Sequence, residues 1–242
     1  IESSPPPSRE QVDKTRKSGL TAVPFSPFGI YLAVLTPSSI TNTGINNQLA
    51  NILPSVYGVD AATTSALIAL AGLLGLAIYP IAAWWMARSS ALSTFTIGAV
   101  MRLAGSAAMG ILGLVTGSPI LLVAAAMQTL YQAAPFIRMA QPVVGVRFST
   151  FGAGAAAGWV IGASAVGSAI GSLLGGWLAQ NVGFNAINWM GAISAALALA
   201  LLIIYLWPAE RRERGKDPPP TEPEPDDAEA QARGPHDVPV HA

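Results

Sequence analysis

The chain has 242 residues, 52% of them hydrophobic and 11% charged, whereas soluble domains carry roughly 25% charged residues. It contains no cysteine, and its two histidines, His236 and His241, fall in the tail, so disulfides, thiol catalysis and Cys- or His-based metal sites in the body are excluded. Net charge is zero, but Asp60 is the only acidic residue between Asp13 and Glu210. Composition thus points to an integral membrane protein surrounded by the lipid bilayer, with no nucleic-acid partner, no metal site and no cofactor.

In chain order, residues 1–24 hold Pro5-Pro6-Pro7 and a basic cluster, Lys14-Thr15-Arg16-Lys17, and read as a disordered cytoplasmic linker whose cluster can rest on anionic headgroups. The first twenty residues contain no apolar signal segment. The chain begins with Ile1, which is the mark of a fragment or a processed product. Apolar segments follow at 28–53, 61–87, 92–116, 119–142, 151–180 and 186–207. Each exceeds the ~20 helical residues that span a hydrocarbon core. The predicted fold is therefore all-α and integral to the membrane, a six-transmembrane-helix bundle over 25–208, followed by a disordered cytoplasmic tail over 209–242.

Charge sets the orientation. The second and fourth connections hold Arg88 and Arg147, with Arg138 close by, whereas the first, third and fifth hold no Lys or Arg. Both ends of the bundle are basic. The positive-inside rule then puts both termini and the even connections in the cytoplasm.

The first helix is the most polar. Thr36, Ser38, Ser39, Thr41, Asn42, Thr43, Asn46, Asn47, Gln48 and Asn51 cannot all face lipid, because an unsatisfied polar group in hydrocarbon costs several kcal/mol. Asn42 and Asn46 share a face, so they line a cavity or bond neighbouring helices, and Pro37 and Gly44 allow a bend. Tyr79-Pro80 and Trp84-Trp85 close the second helix, where the tryptophans read as interfacial anchors. Arg102 in the third helix either snorkels or binds an anion in a cavity. Gln128 and Gln132, beside Tyr131, form a polar stripe on the fourth helix that serves a cavity or helix–helix bonding; Arg138 reads as an interface or loop charge.

Residues 151–180 are free of charge, Pro and Asn and contain eight glycines. Two four-residue ladders, Gly154/Gly158/Gly162 and Gly167/Gly171/Gly175, are offset by a five-residue step that turns the small face round the helix at about 100° per residue. Small residues let helix backbones approach, so these glycines are predicted to serve tight packing, or the rocking of this helix between two neighbours.

Several stretches resemble the C-terminal half, helices seven to twelve, of a major facilitator superfamily transporter. Leu53-Pro54-Ser55-Val56-Tyr57-Gly58-Val59 is similar to the family's end of helix seven, and Arg88-Ser89-Ser90 to its short basic loop between helices eight and nine. Arg147 with the small-residue run after it resembles the start of helix eleven. The span from Gly167 to Leu178 resembles the glycine-rich part of that helix, and Val182-Gly183-Phe184 the turn that follows. The family's acidic and arginine-rich loop signature is reduced here to Met86-Ala87-Arg88-Ser89-Ser90.

The resemblance implies secondary active or facilitative transport of a small-molecule substrate by alternating access, with a missing N-terminal six-helix half as partner. It directs Asn42, Asn46, Gln128, Gln132, Ser164 and Ser168 toward that substrate; Arg102 joins them on the anion reading above. Gly158, Gly162, Gly167, Gly171 and Gly175 become packing or gating positions. An intramembrane enzyme would need a nucleophile and base or paired acids, which the body lacks. The remaining alternative is a transporter-like scaffold or assembly subunit of a larger membrane complex, which a plugged, dry cavity would favour. Ten Arg against three Lys, with abundant Ala and Gly, points to a bacterial cytoplasmic membrane.

Overall fold

The computed structural model describes residues 26–115, 117 and 119–214; the readings of 1–24 and of the tail beyond 214 lie outside them. Six long helices run in order: α1 (Pro27–Tyr57), α2 (Ala61–Arg88), α3 (Ala91–Leu112), α4 (Ile120–Phe148), α5 (Ala153–Asn181) and α6 (Asn185–Leu201). One π-helical turn, Leu202–Leu206, carries α6 into α7 (Trp207–Arg214), and the bundle ends as a compact unit at Trp207. Among the described residues there is no strand.

Local chemistry accounts for the ends. Ser26, Asp60 and Ser90 cap α1, α2 and α3 by accepting from the backbone N–H three residues on, which satisfies donors that an opening helical turn leaves free. Gly58 closes α1 in the left-handed conformation at φ 67°, and its N–H reaches back to the Leu53 and Pro54 carbonyls. The first connection therefore starts at Gly58 rather than at Pro54, as Pro54 is kept inside the last turn. The fourth helix likewise continues through Pro142 and Val143 to Phe148, which shortens the fourth connection to 149–152 and puts Arg147 in the last helical turn. In the other direction, α3 stops at Leu112 rather than 116.

Among the described residues, five helices are long and apolar enough to cross a membrane: α2, α3, α4, α5 and the continuous run Asn185–Arg212. The expected sixth, α1, has 31 residues but is too polar to join them by composition. It is nonetheless a central helix, packed closely on α5 and α6. The other dominant pairings are α3 on α4, α3 on α6 and α2 on α4, whereas α1 and α2 touch little. Exchanging the first three helices for the last three turns α1·α5 into α4·α2 and α1·α6 into α4·α3, and returns α3·α6 to itself. The five main pairings thus form a closed set under a two-fold exchange of consecutive, antiparallel triplets, which is the pattern of an inverted repeat.

The second glycine ladder makes the α1–α5 seam. A methyl group on Gly171 would stand 2.7 Å from the Ile40 carbonyl oxygen, and one on Gly175 would stand 3.2 Å from that of Gly44. Gly167 meets α1 one turn earlier, 2.8 Å from the Ser39 Cβ by the same construction. Beside this backbone contact, Thr43 Oγ1 donates to Ser168 Oγ at 2.9 Å and Asn47 Nδ2 to Ser172 Oγ at 3.1 Å. Polar pairs and glycines therefore repeat in step, every four residues. The first ladder behaves differently: Gly154, Gly158 and Gly162 are exposed, and among the described residues nothing lies within 4 Å of a methyl group added there.

Two outcomes follow. Gly171→Leu should lower stability by about 1–3 kcal/mol, because α5 must move off α1, whereas Gly158→Leu should cause no loss; thermal unfolding in detergent reads the contrast. Asp60, whose two carboxylate oxygens accept from Thr63 N–H at 2.9 Å and Thr63 Oγ1 at 2.6 Å, has its pKa pulled below the ordinary 3.8 by these bonds. Its cap then adds stability above that ordinary value and loses it as pH falls through the lowered one. An NMR titration midpoint at or above 3.8 would contradict this.

Candidate functional site

A cavity of about 250 Å³ lies among α1, α2, α3 and α4, where α1 and α2 diverge. Asn42 and Asn46 line it from α1, Gly75 and Tyr79 from α2, Arg102 from α3, and Tyr131 and Arg138 from α4. Asn42 is the central residue of α1 and Arg102 sits at the middle of the 22-residue α3, so this space lies at half the height of the bundle.

Arg102 is the pivot. Its side chain is 5% exposed, and it does not run to the end of α3. Nη1 donates to the Ser38 carbonyl at 2.8 Å and to Ser38 Oγ at 3.0 Å, and Nη2 donates to Asn42 Oδ1 at 3.2 Å. Asn42 Oδ1 also accepts from Asn46 Nδ2 at 3.1 Å. A planar guanidinium can hold both turns of α1 at once because its donors are splayed in a fixed fork. Next to Asn42 on the same helix, Thr41 Oγ1 donates to the Gly191 carbonyl of α6 at 2.9 Å. The polar middle of α1 is thus tied to α3 and α6, with Asn46 left exposed toward the open side.

Other expected substrate contacts are placed elsewhere. Gln132 is buried and Gln128 half-buried on α4, and neither lines the cavity; among the described residues Gln132 Oε1 and Gln128 Nε2 have no hydrogen-bond partner. Ser164 Oγ accepts from Gln141 Nε2 at 2.8 Å in the α4–α5 seam, while Ser168 belongs to the α1–α5 seam described above. Both hydroxyls are therefore used between helices. Arg138, read from the sequence as an interface or loop charge, instead lines the cavity with Tyr131. Their seven-residue spacing, with Ala134 and Pro135 between, is one helical face, a signal present in the sequence. Tyr79 carried no such signal. At the end of α2, Arg88 stacks 4.2 Å over the exposed Trp84 ring.

A second polar knot joins the ends of α1 and α3 to the start of α6. Tyr57 OH donates to the Met109 carbonyl at 2.6 Å, Asn185 Nδ2 to the Gly110 carbonyl at 3.1 Å, and the buried Asn188 Nδ2 to Tyr57 OH at 3.1 Å. The Asn185 bond serves a carbonyl in the last turn of α3, while the Met109 carbonyl accepts from Gly113 N–H as well as from Tyr57. Among the described residues no group of His, Cys, Asp or Glu side chains is assembled that could hold a metal ion.

Residues 28–236 match the family described as Major Facilitator Superfamily. The chain belongs to the major facilitator superfamily. Comparison with curated proteins gives no match. Membership makes the protein a membrane transporter in general terms, and transporters of this superfamily move solutes rather than transform them.

The bonding pattern separates two kinds of polar residue. Arg102→Leu should destabilise the bundle by about 1–3 kcal/mol, since Ser38 and Asn42 lose a charged donor, and Arg102→Lys should restore only part because an ammonium cannot bridge both turns. Gln132→Leu should be neutral or stabilising, because it removes a buried, unpartnered carbonyl. Unfolding midpoints of the three variants measure this; a large loss for Gln132→Leu would mean that its amide is satisfied.

Proposed function

We propose that this chain is the C-terminal six-helix half of a major facilitator superfamily transporter, working with an N-terminal half to move a small solute by secondary active or facilitative transport. The observation that carries the reading is the cavity at half height, polar on α1 and open where α1 and α2 part. Alternating access needs a central site that one rigid bundle can expose to either side by rocking against another. The triplet exchange among α1 to α6 supports treating the six helices as one such bundle. The exposed glycines at 154, 158 and 162 offer a surface on which a facing helix could slide closely.

In this reading α1 is the sixth crossing. Its polar residues are tolerated because α3, α5 and α6 bond one side and the solute path takes the other. Arg88 and Arg147 lie at the cytoplasmic ends of α2 and α4, both termini are cytoplasmic, and the membrane is the bacterial inner membrane. The bundle holds no His, and its single carboxylate, Asp60, is in a connection, so a coupling proton would be carried by the other half. A scaffold subunit would be better served by a filled core than by an open cavity lined by two arginines and two asparagines, which favours transport.

A reporter fused after Asp60 should prove extracytoplasmic, and one placed after Ser149 cytoplasmic. In vesicles carrying the complete transporter, Asn46→Leu should reduce solute flux at least tenfold with insertion unchanged. Full flux in that variant, or a cytoplasmic reporter after Asp60, would remove the reading.

A further inference from the structure

We infer that the cavity takes a small solute with anionic oxygens, a carboxylate or phosphate dianion, gripped between Arg102 and Arg138. The inference rests on that cavity being the solute site and adds the chemical class of the solute. Two guanidinium groups line one space of about 250 Å³, and no acidic side chain lines it with them. The membrane body supplies none either: Asp60, the only carboxylate between Asp13 and Glu210, is in the connection that caps α2.

Arg102 is held by neutral acceptors alone, Ser38 and Asn42. Those three bonds leave Nε–H and one Nη2 hydrogen without a partner among the described residues. Its positive charge is therefore buried in low dielectric without a counter-charge, an arrangement that is unfavourable unless an anion completes it. Arg138 adds to that cost, because it lies near enough to repel Arg102 electrostatically. It is exposed, forms no cap and stands ten residues before the end of α4, about 15 Å from that end along the axis. An anion between the two would relieve the repulsion and accept bidentate bonds from each planar fork.

Asn46 Nδ2 and the hydroxyls of Tyr79 and Tyr131 add neutral groups around the same space, suited to the remainder of a solute. A cavity of about 250 Å³ has room for a solute of succinate size.

The test titrates the full chain in lipid nanodiscs with succinate, inorganic phosphate, glucose and tetraethylammonium, reading the unfolding midpoint and tryptophan fluorescence. Succinate or phosphate should bind and raise the midpoint, and whichever of the two does so identifies the anionic group. Glucose and tetraethylammonium should do neither. Arg138→Gln, whose side chain holds no helix to another, should keep or raise the unliganded midpoint, because it removes the repulsion on Arg102, and should weaken anion binding at least tenfold. Arg102→Lys should weaken it as well.

Failure of both anions to bind, or anion binding undiminished in Arg138→Gln, would overturn the inference. Binding of glucose or tetraethylammonium lost in Asn46→Leu would also overturn it, while leaving transport through the cavity intact. The converse is separable: an anion bound in an Arg138-dependent way but not moved across vesicles by the complete transporter would sink the transport reading and keep the anion site.

Discussion

Hydrocarbon cannot hydrogen-bond, so every polar group placed at membrane depth must find its partner within the protein or in water admitted by it. In this bundle the requirement falls on α1. Arg102 takes its Ser38 and Asn42, α5 takes Thr43 and Asn47, and the Gly191 carbonyl takes Thr41. These attachments leave one side of α1, around Asn46, uncovered, and that side faces the cavity.

The cavity itself comes from the way six helices share contacts. Each triplet gives its first helix two close neighbours in the other triplet, and α3 and α6 pair across the middle. Consecutive helices α1 and α2 are therefore not bound to each other and can separate. A space opens between them at half height, where α3 and α4 form the back wall with Arg102 and Arg138. Pro135 and Pro142 keep α4 from donating to the carbonyls of Tyr131 and Arg138, four residues before each, so the same wall carries backbone acceptors without their usual helical partner.

Small residues and polar pairs act together on α5. At Gly167, Gly171 and Gly175 the missing side chains admit the backbone of α1, and the close approach brings Ser168 and Ser172 within reach of Thr43 and Asn47. Lipid offers no hydrophobic drive to join two apolar helices, so contact of this kind is what holds the seam. At Gly154, Gly158 and Gly162 the same sequence pattern meets no neighbour among the described residues.

Much was legible in the linear chain because it depends on composition and helical period. The near absence of acid in the body, the length of the apolar segments and the glycine ladders each follow from residue type and spacing. The ends of helices were less legible, since the segments were read to end before Pro54 and at Pro142, while α1 and α4 run on past both prolines. Partner choice was not legible at all. Gln128 and Gln132 have the same i,i+4 spacing as Asn42 and Asn46, yet only the asparagines line the cavity; Arg138 resembled a boundary charge until packing turned its face inward. Sequence by itself determined a membrane-embedded helical bundle, because hydropathy and periodicity are properties of one segment at a time. Tertiary structure alone decided which polar residues meet each other and which meet solute, because that depends on the rotation of each helix against neighbours distant in the chain.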